Sequence, residues 1–279
     1  MITLTFTLYD ENMNKINYPV GVTPLDFLVS SVERERYEET VNGIPGTIDY
    51  GFDFKEREIT LKFQMEHYHD TFDFRLQRDE VYNIFSSHNH LYVSDNLVPT
   101  RVIKLQVDGQ FTPERYGYWY STLEITGKSI GLPFWKTKYS TQEIQKIGYN
   151  AIVEKFGLGD GIHQDFLNYD FDSTDFTLWN GGNTTIDPRY MISKITVENL
   201  TSDINFAIIN LSTSSEFVFN EPLVNQTLTL DGSKILVGAN NRLRDSNREY
   251  IKLKPGENHI RIRNGSFSKI KFDFPFYYK

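Results

Sequence analysis

Residues 253–279 constrain the fold most, because apolar and charged side chains alternate along them. The apolar positions are Ile260, Ile262, Ile270, Phe272 and Phe274. Between the two runs stands Asn264-Gly265, a pair that favours tight turns because both residues tolerate a positive φ. The pattern predicts an antiparallel hairpin with one apolar and one charged face, which would close a β-sandwich. Such a hairpin has no evident catalytic group and favours a binding or assembly module.

Composition limits the class of protein. A chain of 279 residues is long enough for about two domains, and its 39% hydrophobic content can supply their cores. The formal net charge of -8 argues against nucleic acid as a partner. The absence of cysteine excludes disulfides and fits synthesis in a reducing cytoplasm. We expect no membrane span, because no apolar run approaches roughly 18 residues.

The first domain, predicted over residues 1–139, combines strands with one helix. A strand is predicted where every second residue is apolar, at Ile59, Leu61, Phe63 and Met65. The apolar residues between Phe72 and Ser86 recur near helical spacing and predict an amphipathic helix. The segment Asp108–Gly117 is predicted to be a long hairpin tip or arm. We therefore expect an N-terminal β-sandwich with a helix.

The second half of the chain has a different pattern. Residues 140–178 are rich in Gly and Asp towards their end and predict a connector. Residues 179–279 contain short strand patterns separated by turn residues, which is typical of a β-sandwich. The predicted fold class is mostly β, with an α+β first domain.

Two groups of residues suggest metal chemistry. His67-Tyr68-His69 and His88-Asn89-His90 flank the predicted helix, and an extended H-x-H pair presents both imidazoles on one face. A structural role at the ends of the helix is the alternative, and no third ligand follows from the spacing. Asp170, Asp172 and Asp175 resemble a calcium loop, but the glycine and glutamate of an EF-hand are missing. We expect no bound metal and no cofactor.

Catalytic motifs are absent from the sequence. It has no G-x-S-x-G, no H-E-x-x-H and no Walker-type loop. Trp179 stands in a glycine-rich stretch, Trp179-Asn180-Gly181-Gly182, which predicts a turn. An exposed tryptophan there could stack on a sugar ring, whereas packing into the core is the alternative.

Three blocks of sequence resemble the distal tail protein (Dit) family of siphophages that infect Gram-positive bacteria. The first block matches a G…G…R-x-I-x-L pattern, at Gly46, Gly51, Arg57, Ile59 and Leu61. The second is Pro133-Phe134-Trp135, similar to the segment that ends the family's first domain. The third resembles an L-x-P-G-x-N-x-I pattern, at Leu253, Pro255, Gly256, Asn258 and Ile260.

The resemblance implies a structural role in the virion, at the phage tail tip, and no enzymatic activity. It implies that the N-terminal domain assembles into a hexameric ring and that the C-terminal domain is a galectin-like or carbohydrate-module-like sandwich. The implied partners are other copies of the chain, the tail tube protein, the tail-associated lysin or fibre protein and receptor-binding proteins. Synthesis is expected in the host cytoplasm.

Candidate contact residues follow from the predicted arm. Phe111, Arg115 and Tyr116 lie in it and are candidates for subunit or partner contact, since aromatic and arginine side chains are enriched in interfaces. The alternative function is a carbohydrate-binding module for the host cell wall, with Trp179 as the candidate sugar contact. A metal-dependent hydrolase that uses the paired histidines is a third hypothesis.

Overall fold

The computed structural model describes residues 5–43, 45–147 and 160–279. The chain divides into two compact units, unit 1 (Met1–Trp135) and unit 2 (Lys136–Lys279). Strands predominate in both, so the predicted mostly-β fold class is confirmed.

The strands of unit 1 form a mainly antiparallel sheet and a separate two-stranded arm. They are β1 (Phe6–Tyr9), β2 (Val22–Val29), β3 (Arg34–Glu39), β4 (Ile48–Phe54), β5 (Glu58–Glu66), β6 (Leu91–Asp95), β7 (Arg101–Gln106), β8 (Glu114–Tyr116) and β9 (Tyr120–Ser129). The order across the sheet is β1-β6-β7-β9-β5-β2, with β8 paired to β9, and β3 pairs with β4 alone.

The core of unit 1 follows the alternation of β5. Ile59, Leu61, Phe63 and Met65 are all buried, which confirms the predicted strand. Helix α1 (Asp70–Ser86) confirms the predicted helix and places Val81 and Phe85 in the same core. The carboxylate of Asp73 accepts the backbone N–H of His69 at 2.7 Å, so one of the donors at the start of the helix has a partner.

The strands of unit 2 from β11 to β20 form two sheets. They are β11 (Asp170–Phe171), β12 (Asp175–Asn180), β13 (Lys194–Ser202), β14 (Phe206–Asn210), β15 (Ser215–Phe219), β16 (Leu223–Asp231), β17 (Lys234–Val237), β18 (Asn240–Asn241), β19 (Gly256–Arg263) and β20 (Lys269–Asp273). Strand β10 (Trp135–Thr137) pairs with β21 (Tyr277–Tyr278). Among the described residues one sheet has the order β11-β20-β13-β16-β17-β18 and the other β12-β19-β14-β15.

The predicted terminal hairpin is wrong in its pairing. Strand β19 pairs with β12 and β14, whereas β20 pairs with β11 and β13 in the other sheet. Asn264-Gly265, with Asn264 at φ 57°, begins a corner between the sheets. The apolar side chains of both strands are buried as predicted, because alternation defines which face is buried and does not define which strand pairs with which.

Residues 140–178, predicted as a connector, contribute to unit 2 wherever they are described. Helix α2 (Thr141–Ile147) begins at Thr141, whose hydroxyl donates to the carbonyl of Phe272 at 2.9 Å. Strands β11 and β12 then pair with β20 and β19. Ile144, Tyr169, Phe176 and Leu178 of this segment are buried, so its described part belongs to the core of unit 2.

Candidate subunit-contact surfaces

Strands β3 and β4 form an arm, Arg34–Phe54, that contributes no residue to the core of unit 1. Every residue of β3 is exposed, and none of β4 is buried. Apolar residues alternate along β4, at Ile48, Tyr50, Phe52 and Phe54, but β3 is mostly charged and no residue of either strand is buried. The arm was not predicted from the sequence, because glycines such as Gly43, Gly46 and Gly51 are typical of loops; all three have positive φ in the structure.

Polar side chains hold the arm together across its two strands. Arg36 forms an ion pair with Asp49 at 3.0 Å, and the hydroxyl of Tyr50 donates to Glu39 at 2.8 Å. Tyr37 donates to Asp53 at 3.2 Å. The hydrogen bond to the carboxylate raises the pKa of each tyrosine, because the proton that it donates is harder to remove.

The arm also presents apolar surface to solvent. Ile48, Tyr37, Tyr50 and Phe52 are large and exposed, and the guanidinium of Arg34 lies 4.7 Å from the centre of the Phe52 ring. At its base, Phe54 contacts Phe134 edge to face at 5.4 Å. An arm that lies outside the core and has exposed aromatic side chains is typical of an interface element.

A cleft of about 810 Å³ lies beside the base of the arm, lined by Ser30, Ser31, Glu33, Phe54, Lys55, Glu56, Glu58 and Lys128. Lys55 bonds to Glu33 at 3.2 Å, which raises the pKa of the lysine. The neighbouring Arg57 is buried, and its Nε donates to the carbonyl of Ser30 at 2.6 Å. Burial lowers the pKa of Arg57, since the charged form loses water.

The predicted arm, Asp108–Gly117, is instead folded back on unit 1. The ring of Phe111 packs edge to face on Tyr82 at 5.3 Å and on Phe85 at 5.6 Å. Pro113 is buried, and β8 pairs with β9. Phe111 holds the segment against α1, so the segment does not project as a tip.

The three predicted contact residues therefore have different environments. Phe111 packs against the core, and Tyr116 is exposed. Arg115 donates to the carbonyl of Gly117 at 2.9 Å and to the hydroxyl of Thr71 at 3.3 Å. Their role in subunit or partner contact stays a prediction.

The structure brings together an aromatic patch that sequence analysis did not identify. Its members are exposed and lie around the β8–β9 turn and the start of α1: Tyr68, Phe72, Tyr116, Tyr118, Trp119 and Tyr120. Tyr116 stands opposite Tyr120 across the two strands, and the Arg115 guanidinium lies 5.8 Å from the Tyr118 ring. The aromatic residues from Tyr116 to Tyr120 indicate such a patch in the sequence, but the same pattern is equally typical of a strand.

The paired histidines do not converge on a common point. His67 is buried, and its ring nitrogens lie 2.9 Å from Gln77 Oε1 and 2.7 Å from Ser121 Oγ. His69 is exposed and lies 3.1 Å from Asp73 Oδ2. His90 packs edge to face on Tyr92 at 5.5 Å. In residues 5–43, 45–147 and 160–279, no cluster of three His, Asp or Glu side chains could hold a metal ion.

The aspartates of the calcium-like stretch also diverge. Asp170 Oδ2 lies 3.5 Å from Lys269 Nζ, and Asp175 accepts a hydrogen bond from Arg261 at 2.9 Å. Asp172 is exposed. Asp170 is paired across β11 and β20, and Asp175 across β12 and β19. These two aspartates therefore support strand pairing in unit 2.

Trp179 lies in strand β12 and not in the predicted turn. Its ring stacks on Phe166 at 5.5 Å with an interplanar angle of 13°, and His163 lies 4.9 Å away. The indole N–H donates to the carbonyl of Gly161 at 2.8 Å. Glycines follow the tryptophan because Gly181 and Gly182 pack closely against Phe276 and Tyr277, where a β-carbon would clash.

Comparison with known proteins indicates the class of the chain. Residues 19–126 match a family described as phage tail protein RIFT-related domain, a stretch that contains both the arm and the aromatic patch. No curated protein sequence matches the chain. No helix in the described parts of the chain is both long and apolar enough to cross a membrane.

One solved structure extends the similarity in fold beyond residues 19–126. The crystal structure of SPP1 Dit (gp 19.1), described as a paradigm of the hub adsorption apparatus in phages that infect Gram-positive bacteria, aligns with a TM-score of 0.68 at 12% identity. The alignment covers 97% of this chain and 99% of that one. A chain of the phage p2 baseplate in its activated conformation with Sr aligns at 13% identity over 97% of each chain, with a TM-score of 0.44. The resemblance to the distal tail protein family is thus confirmed by the phage tail family match over residues 19–126 and by the fold of SPP1 Dit.

Proposed function

We propose that the protein is a distal tail, or baseplate hub, component of a phage tail that assembles into a hexameric ring in the virion. The ring would join the tail tube protein to the tail-associated lysin or fibre protein and to receptor-binding proteins. We propose no enzymatic role. The observation that carries the proposal is the arm, which projects exposed aromatic side chains from a domain of a phage tail family.

A ring needs two different surfaces on each subunit, because rotational symmetry repeats a head-to-tail contact. The arm supplies one of them, with Tyr50 and Phe52 as its central apolar contacts. Its charged residues, such as Arg36 and Asp49, would lie at the rim. The aromatic patch and the predicted contact residues Phe111, Arg115 and Tyr116 are proposed as further subunit or partner contacts.

The test compares the assembly of a variant with both Tyr50→Ser and Phe52→Ser against that of the unchanged chain. Sedimentation velocity and negative-stain imaging over a range of concentrations should show rings for the unchanged chain and smaller species for the variant. Val224→Ser, which removes an exposed apolar side chain in unit 2, is the matched control and should leave assembly unchanged.

A monomer at every concentration, even when tail tube and tail-tip partners are added, would contradict the ring. Assembly of the double variant with the same midpoint as the unchanged chain would instead exclude the arm as the contact while leaving the tail role open.

Carbohydrate binding by unit 2 is a second proposed function. The observation that favours it is the outer face of β12 and β19, where Trp179 stands opposite Glu257 and Thr177 opposite His259. A ring with polar neighbours can bind a sugar by stacking and hydrogen bonds. Retention of the full chain on host cell walls, reduced by Trp179→Ala and unchanged by Val224→Ser, would support this function. Equal retention of all three proteins, or none, would contradict it.

A further inference from the structure

The chain contains three Asn-Gly pairs that differ in their surroundings: Asn42-Gly43, Asn180-Gly181 and Asn264-Gly265. An asparagine followed by glycine can lose ammonia without an enzyme. The backbone nitrogen of the glycine attacks the side-chain amide carbon of the asparagine, a C–N bond forms, and NH3 leaves to give a succinimide. Water then opens the ring to aspartate or isoaspartate. The reaction needs no oxidant, reductant or cofactor.

Asn42-Gly43 lies in the turn of the arm and is open to this attack. Both residues are exposed. A β-carbon built on Gly43 would meet no heavy atom of the described chain within 4 Å, its two chain neighbours aside, so the glycine stands in open space. Because glycine itself has no β-carbon, the approach to the asparagine side chain is unhindered.

The other two pairs are held by the fold. Asn180 is buried, and its Nδ2 donates to the carbonyls of Thr184 and Leu253, both at 3.2 Å. Its Oδ1 accepts the N–H of Gly182 at 3.0 Å. Attack by Gly181 would require these bonds to break and the close contact with Phe276 to open. Local unfolding must therefore precede reaction at Asn180.

Asn264 is exposed but fixed at the corner between the sheets. Its Nδ2 donates to the carbonyl of Asn205 at 3.0 Å, and its own carbonyl accepts from the hydroxyl of Ser202. Gly265 packs against the rings and methyl groups of Phe206 and Leu200. The peptide that must rotate for ring closure is thus anchored on both sides.

We propose that Asn42 is a site of spontaneous deamidation in the folded protein, and that Asn180 and Asn264 are protected. Each event replaces a neutral amide with a carboxylate in the turn of the arm, close in sequence to Glu38 and Glu39. The isoaspartate product also adds one methylene to the backbone of the turn. The proposal concerns the free chain and is independent of ring formation.

The experiment incubates the purified full chain at mildly alkaline pH and physiological temperature and maps its peptides by mass spectrometry. We expect the peptide that contains Asn42 to gain about 1 Da and to resolve into aspartate and isoaspartate forms. Conversion at Asn180 and Asn264 should be at least about tenfold slower. The Asn42→Gln variant should lack the early product, because its ring closure is slower, and Asn42→Asp supplies the standard for one product.

The unfolded chain in denaturant is the reference, and all three pairs should convert in it. Comparable conversion of the three pairs in the folded chain would overturn the proposal. So would an Asn42 that stays intact when folded yet converts in denaturant, since the arm would then protect it.

Discussion

His67 lies beneath the aromatic patch with both ring nitrogens in contact with polar partners, Gln77 and Ser121. Its backbone N–H also donates to the carbonyl of Trp119 at 2.8 Å, so the residue connects β5 to the turn that carries the patch. Burial lowers its pKa, because the imidazolium would lose hydration. The neutral form is therefore the one that the fold favours.

The first prediction follows from that pKa. The unfolded chain binds the proton more tightly than the folded one, so the stabilising contribution is complete above the unfolded pKa of about 6.5. This contribution is lost as the pH falls from about 6.5 through the lower pKa of His67 in the folded chain. Thermal melts between neutral and mildly acidic pH should show a falling Tm, and His67→Gln should reduce the slope.

His69→Gln provides the control, because His69 is exposed and two residues away. It should leave the slope unchanged. Equal slopes for the His67 variant and the unchanged chain would assign the pH dependence to other groups.

Gly265 carries the second prediction at the scale of a residue. A β-carbon there would lie 2.7 Å from Phe206 Cδ2 and 3.0 Å from Leu200 Cδ1, and both of those side chains are fully buried. Gly265→Ala should lower the free energy of unfolding of unit 2 by about 1–3 kcal/mol. Denaturant titration measures it, with the exposed neighbour substitution Ser266→Ala expected within about 0.5 kcal/mol of the unchanged chain.

Among the elements, the turn before β19 depends on one buried amide. Asn258 Nδ2 donates to the carbonyls of Lys254 and Gly256 at 2.8 and 3.0 Å. Its Oδ1 accepts the N–H of Lys254 and the Nδ2 of Asn210, both at 2.9 Å. This explains why an asparagine stands in the P-G-x-N-x-I pattern: it satisfies the turn and connects it to β14.

Asn258→Ala should destabilise unit 2 by about 3 kcal/mol, because several buried polar groups lose their partner at once. Glu257→Gln, at the exposed position beside it, should change stability by less than about 0.5 kcal/mol. Denaturant titration of both variants provides the comparison. A small effect of Asn258→Ala would show that water or a shifted backbone replaces the amide.

Sequence patterns predicted elements well where one face is buried. The alternation of β5 and the helical spacing around Val81 and Phe85 were sufficient to identify β5 and α1. The pairing partners of β19 and β20 could not be predicted from the sequence, because Ile260 and Phe272 would be buried equally in a hairpin or in two separate sheets. The arm was missed because β3 is mostly charged and the glycines around β4 are typical of a loop. The position of Trp179 was missed because its partner Phe166 lies 13 residues earlier, a separation that no periodic pattern marks.

At the scale of the whole molecule, the bounds of unit 2 predict which C-terminal fragment folds on its own. Residues 179–279, the sequence-based estimate of the second domain, omit most of β12 and all of β11. They also omit the hydroxyls of Thr137 and Thr141, which accept the backbone N–H groups of Phe276 and Phe274. A fragment of residues 136–279 keeps them. It should unfold cooperatively, whereas residues 179–279 should be markedly less stable or fail to fold. Circular dichroism melts of the two fragments test this, and similar melting of both would support the shorter domain.

The corner at Asn264-Gly265 has a kinetic consequence. Because β19 and β20 diverge into separate sheets, neither can form by local zipping at the turn, and each must find strands far away in the chain. Asp175 and Arg261, paired across β12 and β19, are 86 residues apart. Such high contact order slows folding, since loop closure costs entropy before any sheet contact compensates for it. Unit 2 should therefore refold on the slow side for its size, and its unpaired strand edges are vulnerable to aggregation in the meantime.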